Sequence, residues 1–157
     1  MMQRFVRILF CIVLLGAPCV WAAAPADVAP VAESSALFAM DLYGRLKDTP
    51  GNLLFSPFSI STALTMTYAG ARGVTAKEMA QVLQLRLDGD ALHGAMAACL
   101  KGTSPSRGYE LAVANGLWGQ QGYVFLPAFT ATVEGYYDGA FGQVDFSRAP
   151  EAADRIN

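Results

Sequence analysis

The apolar residues of this chain recur every three or four positions from Ser34 to Gly102 and then change to every second position at Tyr109–Trp118. That change of period constrains the fold more than any other feature. A helix buries one stripe at a spacing of 3.6 and a strand buries alternate residues, so the chain reads as a group of helices followed by strands, an α+β arrangement. With 54% hydrophobic and 15% charged residues in 157, there is enough apolar material for one packed core, and disordered or collagen-like classes are excluded. The 11 basic and 13 acidic side chains give a net charge of −2, which supplies no sequence-independent grip on nucleic acid.

Residues 1–22 stand apart. Arg4 and Arg7 precede the apolar run Ile8–Leu15, and Val20-Trp21-Ala22 places small residues where a signal peptidase reads. The run is broken by Gly16 and Pro18, short of the roughly 20 apolar residues of a permanent membrane helix. The expectation is a cleaved secretory signal, no membrane anchor, and a periplasmic or secreted product. Lipoprotein processing at Cys19 is the competing reading, against which Pro18 argues. Cleavage after Ala22 removes Cys11 and Cys19 and leaves Cys99 alone among small apolar neighbours, so no intrachain disulfide is expected and Cys99 reads as a small buried hydrophobe.

Residues 23–33 are rich in Ala, Pro and Val without periodicity and read as a flexible leader, with structure starting at Ser34. Phe38, Leu42 and Leu46 predict a helix that ends in the turn Thr49–Asn52. Leu53-Leu54-Phe55 predicts a short buried strand stopped by Ser56-Pro57, where serine as N-cap and proline at the first helical position open the next helix. Ile60, Leu64 and Tyr68, with Ala63 and Thr67, mark the buried stripe of that helix, and Gly70 and Gly73 its exit. Thr75-Ala76-Lys77-Glu78 fits a capping box ahead of Met79, Val82 and Leu83. Asp88 or Asp90 can cap a helix through Leu92, Met96 and Leu100, closed by Gly102.

Tyr109 to Trp118 alternates as a largely buried strand, Gly119–Gly122 reads as a turn, and Tyr123–Phe125 as the returning strand. Pro127 opens a helix bearing Phe129, Val133, Tyr136 and Tyr137; Phe141 to Phe146 is a further strand, and Pro150 to Asn157 the start of a last helix.

The residue types for most enzyme chemistry are missing. There is one histidine, His93, read as lying on an exposed helix face, and no nucleophile elbow. No zinc spacing, Walker loop, dinucleotide fingerprint or EF-hand loop is present, and the carboxylates are scattered. Gly70-Ala71-Arg72-Gly73 follows a helix instead of a strand and reads as a helix stop, not a phosphate loop. Trp118, Tyr123, Phe125, Tyr136 and Tyr137 lack interleaved basic residues and read as core. Neither an enzyme nor a cofactor- or metal-binding protein is expected.

The segment Asn52–Met66 (NLLFSPFSISTALTM), continued by Gly70–Thr75, closely resembles the N-terminal signature of the serpins. The resemblance is reinforced in order by Ala114–Trp118, Leu126–Phe129, Val144–Phe146 and Ile156-Asn157. It implies an incomplete serpin-like α+β domain over 34–157, made of the N-terminal helices and the first strands of the sheets, from a bacterial-type exported member. The implied activity of the full-length parent is suicide-substrate inhibition of a serine or cysteine protease, its partner. By the same resemblance Ser56, Pro57, Ser59 and Asn115 fall on positions of the shutter, the polar cluster that holds the main sheet closed; the local alternative is an N-cap at Ser56 and a strand-end residue at Asn115. A complete serpin is more than twice this long and carries its reactive loop near the C-terminus, so no reactive-site bond is expected within these residues. A non-inhibitory binding module on the same scaffold and a truncated remnant are the other readings, and an isolated piece is expected to expose unpaired strand edges.

Overall fold

Met66, Leu92, Met96 and Val133, all but inaccessible to solvent, come from three different helices and meet in one core with Val31, Ala95 and Tyr137. A computed structural model describes residues 27–102, 113–137 and 141–157. In chain order the elements are α1 (Ala29–Leu46), α2 (Pro57–Tyr68), α3 (Gly73–Val82), α4 (Gly89–Gly102), β1 (Leu117–Gln120), α5 (Pro127–Tyr136), β2 (Phe141–Val144) and α6 (Ala149–Ile156). The architecture is α+β, as the change of period predicts. Helix α2 touches α1, α3 and β1, while α5 packs between α4 and β2.

Helix α1 begins at Ala29, five positions before the predicted start at Ser34. Pro30 occupies the first turn, where its missing N–H costs nothing, and the Asp27 carboxylate accepts from the Ala29 amide at 3.0 Å. The early start puts Val31 in the core. Ser34 is therefore not a cap: it is buried, with its hydroxyl 2.9 Å from the Pro30 carbonyl oxygen and 2.7 Å from that of Gln84, which ties α1 to the turn after α3.

Helix α2 buries Ser61, Thr62, Thr65 and Met66, whereas Leu64, on the predicted stripe, borders solvent. Three hydroxyls make this face compatible with the interior: Ser61 and Thr62 donate to the Phe58 carbonyl at 3.0 and 2.8 Å, and Thr65 donates to that of Ser61 at 2.7 Å. A buried hydroxyl bonded to its own helix carries little desolvation penalty, and its small volume lets neighbours approach closely. After α2, Arg72 donates to the Ala69 and Ala71 carbonyls, and Gly73 turns into α3 with φ +60, a conformation only glycine adopts freely. Helix α3 thus starts before Thr75, and the predicted capping box lies inside it; among the described residues no side chain caps this helix.

The strands differ most from expectation. Leu53–Phe55 forms no strand and has no ladder partner among the described residues; Leu54 is 96% exposed. Of the predicted strand from Tyr109, residues 109–112 lie outside the described ones, and pairing starts only at Leu117. Gly119 and Gln120, predicted as a turn, belong to β1, and the chain turns at Gln121-Gly122. Tyr123–Phe125 does not return as a strand. Instead β1 pairs in parallel with β2, Leu117 opposite Phe141 and Gln120 opposite Val144, with α5 as the crossover.

Two glycines make this pairing possible. The Phe125 ring lies on Gly119, and a Cβ at Gly142 would sit 2.5 Å from Cζ3 of Trp118, its register partner. Phe125, Phe129 and Phe141 complete the cluster, with the Phe125 and Phe141 rings edge to face at 4.9 Å. Beyond β2, the Asp145 carboxylate accepts from Gln120 Nε2 at 2.9 Å and from the Ser147 hydroxyl at 2.7 Å and amide at 3.0 Å.

Gly142→Ala is expected to destabilise the chain by about 1–3 kcal/mol, because the Trp118 indole must move off the sheet. Urea unfolding of Gly142→Ala, Trp118→Leu and the double variant should show the two changes to be strongly non-additive. The donors on Asp145 hold its carboxyl below the ordinary aspartate value, so its contribution is complete above that value and is lost as pH falls through the lower folded one. Asp145→Asn should therefore flatten the acid limb of the pH–stability curve.

Candidate functional site

The start of α2 assembles three of the four residues singled out in the sequence. Ser56 has an extended backbone (φ −107, ψ 102), its Oγ accepts from the Ser59 amide at 3.3 Å, and its hydroxyl donates to Ser59 Oγ at 3.1 Å. Pro57 fills the first helical position. The local reading of Ser56 as an N-cap is thus directly visible. Asn115 is half-buried in the extended stretch before β1. Among the described residues no hydrogen bond joins it to Ser56 or Ser59.

A second polar set was not singled out. His93, read from the sequence as exposed, is 4% exposed. Its Nδ1 lies 2.8 Å from the Tyr137 hydroxyl, and its ring stands edge-on to Tyr137 at 5.8 Å and tilted against Tyr136 at 5.9 Å. Burial pushes the imidazole pKa down, opposed by the nearby Asp90 carboxylate, and burial pushes the Tyr137 hydroxyl far above its ordinary value. The signal was present in the spacing: His93 sits beside Leu92 and one turn before Met96 and Ala97, on the face that α4 turns to the core. A single polar residue within an apolar face reads as exposed only until a partner is visible, and Tyr137 is 44 positions away.

The remaining chemistry is sparse. Cys99 packs half-buried against the core, and burial raises its thiol pKa, which fits its reading as a small hydrophobe. Among the described residues no three His, Cys, Asp or Glu side chains are placed to share a metal ion, and no helix is long and apolar enough to cross a membrane. A groove between α1 and α3 is lined by Phe38, Asp41, Leu42, Arg45, Glu78 and Gln81. Its charges do not converge on a point. The described residues hold no nucleophile–base pair, so what they present is a scaffold with buried polar joints.

Comparison with known proteins shows the family. Residues 33–157 match the family model for serpin (serine protease inhibitor). The chain is 41% identical over 131 residues to an uncharacterised serpin-like protein of Thermococcus kodakarensis, covering 82% of this chain and 31% of that protein. It is 41% identical over 122 residues to the leukocyte elastase inhibitor of Bos taurus, covering 74% and 31%. The fold superposes on cleaved serpin 42Da with a TM-score of 0.73 at 31% identity, over 82% of this chain and 35% of that one. On reactive-loop-cleaved human thyroxine binding globulin the TM-score is 0.70 at 29% identity, over 84% and 41%. The chain belongs to the serpin family, and it spans about a third of the length of the relatives it matches.

Ser56→Ala is expected to cost about 1 kcal/mol through loss of the cap, and Ser56→Asp to restore most of it. Urea midpoints at neutral pH read both.

Proposed function

We propose that the chain is the N-terminal portion of an exported serpin whose complete form inhibits a serine protease. The observation that carries the reading is the collinear family match over residues 33–157, joined to 41% identity with a relative named for elastase inhibition. By family resemblance, a reactive loop outside these residues is cleaved, the protease stays acylated, and the loop inserts as a strand of the main sheet. Serpin loop insertion is itself a standard example of strand addition and of strain released by cleavage. In this scheme the described residues supply the platform: α2 lies beneath the sheet that opens, and β1 and β2 are two of its strands.

Ser56, Pro57, Ser59 and Asn115 are the shutter residues of this reading. One serine can serve both as the cap of α2 and as a shutter group, since Ser59 Oγ accepts from Ser56 and retains its own hydrogen for a partner across the sheet. A polar cluster with two satisfiable arrangements lets strands part without stranding a buried donor. Residues 1–22 act as a signal peptide that delivers the product to the periplasm or beyond.

A second reading, a non-inhibitory binding module on the same scaffold, draws on the likeness to a protein named for thyroxine binding. One experiment separates the two. The complete protein is incubated with elastase-like, trypsin-like and chymotrypsin-like serine proteases and run on denaturing gels. A covalent complex resistant to denaturant, together with a rise in Tm after loop cleavage, is the expected result. Cleavage with neither a complex nor a Tm gain would overturn inhibition and favour the binding module.

A further inference from the structure

Helices α4 and α5 meet through a buried polar contact whose direction depends on the protonation of the imidazole. His93 and Tyr137 are both almost fully buried, and His93 Nδ1 and the Tyr137 hydroxyl oxygen are 2.8 Å apart. Around them the surroundings are apolar: Leu92, Ala95, Met96 and Val133 belong to the same core. On its other side the imidazole borders a groove lined by Tyr68, Arg72, Asp88, Asp90 and Thr132. We propose that this pair is a pH-sensitive latch, in which a neutral His93 accepts the Tyr137 hydroxyl at Nδ1 and protonation of the imidazole releases α5 from α4.

A neutral imidazole has one N–H and one lone pair; with the lone pair at Nδ1 the N–H sits on Nε2. Tyr137 has one hydroxyl hydrogen, and in this apolar surround Nδ1 is its acceptor. An imidazolium carries a hydrogen on both nitrogens, so Nδ1 can then only donate to the Tyr137 oxygen, and the hydroxyl hydrogen has to turn away into an apolar surround that offers it no acceptor among the described residues. A buried donor without a partner, next to a buried charge, is a costly arrangement.

Among the described residues the titratable and charged groups facing His93 are few, and none of these removes that cost. From α4 and the residue before it come Asp90 and Asp88, from α5 and the position after it Tyr136 and Tyr137, and from the end of α2 and its exit Tyr68 and Arg72. Asp90 favours the imidazolium but already accepts a hydrogen bond from the Tyr136 hydroxyl. Arg72 carries the opposing charge on the other wall. Desolvation outweighs Asp90, so the folded state prefers the neutral ring. The contribution of the latch is therefore complete above the ordinary histidine value of about 6.5 and is lost as pH falls through the lower folded value. Because α5 is the crossover between β1 and β2, release at Tyr137 frees the C-terminal end of that crossover. The latch stands whichever reading of the complete protein holds.

His93 is the one histidine of these 157 residues. The complete protein labelled with 15N-histidine is titrated by NMR from about pH 7.5 to 5, the range in which histidine changes charge, the His93 signal being the one that His93→Gln removes or Tyr137→Phe shifts, with amide exchange of α4 and α5 followed in parallel and corrected for its intrinsic pH dependence. Expected are a single neutral form with the proton on Nε2, a midpoint below the ordinary histidine value, and a several-fold loss of amide protection across α4 and α5 that follows imidazole protonation. In His93→Gln that pH-dependent loss should vanish. Tyr137→Phe keeps the ring and removes the hydroxyl; its imidazole midpoint should rise toward the ordinary value, and this variant carries the test should His93→Gln fail to fold. A proton on Nδ1 at neutral pH, a midpoint at or above the ordinary value, or an equal loss of protection in wild type and variants would overturn the latch.

Discussion

The rest of the structure depends on burying one face of α2 while leaving none of the hydroxyls on that face unpaired. Thr62 and Thr65 are as inaccessible as Met66, and a helix with two threonines in that position would be costly if either oxygen lacked a partner. Their bonds to carbonyls one turn back remove that cost within the helix itself. The partners of α2 can then be apolar and close: Val31 from α1, Leu92 and Met96 from α4, and Val133 from α5 all pack into the same core. Thr62 even faces the Met96 sulfur at 3.6 Å.

Around that helix the polar contacts are joints between elements and not a reaction centre. Ser34 fastens α1 to the turn at Gln84, His93 fastens α4 to the end of α5, and Gln120 with Asp145 closes the end of the sheet. Ser56 opens α2 and, in the proposed inhibitor, also serves the movement of the strands above it. In the proposed inhibitor, such joints would hold the elements together while the sheet changes shape. The acylated residue of the scheme belongs to the protease, and the cleaved bond to a loop beyond the described residues.

Local rules carried the reading of single helices a long way. Ser56-Pro57 opens α2 as its chemistry requires, Pro127 opens α5, and the stripe of Phe129 and Val133 faces the core. They failed where a partner decides. The capping box at Thr75 was pre-empted by Arg72 and Gly73, which set the start of α3 before it. Leu53–Phe55 has strand composition, but a strand exists only as half of a ladder. His93 read as exposed because Tyr137 is remote in sequence.

Composition, period and the serine–proline and glycine punctuation thus determined the class of fold, the number and order of the helices and, through one long motif, the family. Those properties depend on residues within a few positions of one another, so one chain read in order contains them. Tertiary structure alone decided that β1 pairs with β2 across a helix, that the hydroxyl face of α2 is the buried one, and that the lone histidine is an internal partner. Each of those outcomes is a contact between residues far apart in sequence, where the chain pays closure entropy before the contact forms and no local pattern records which partner wins.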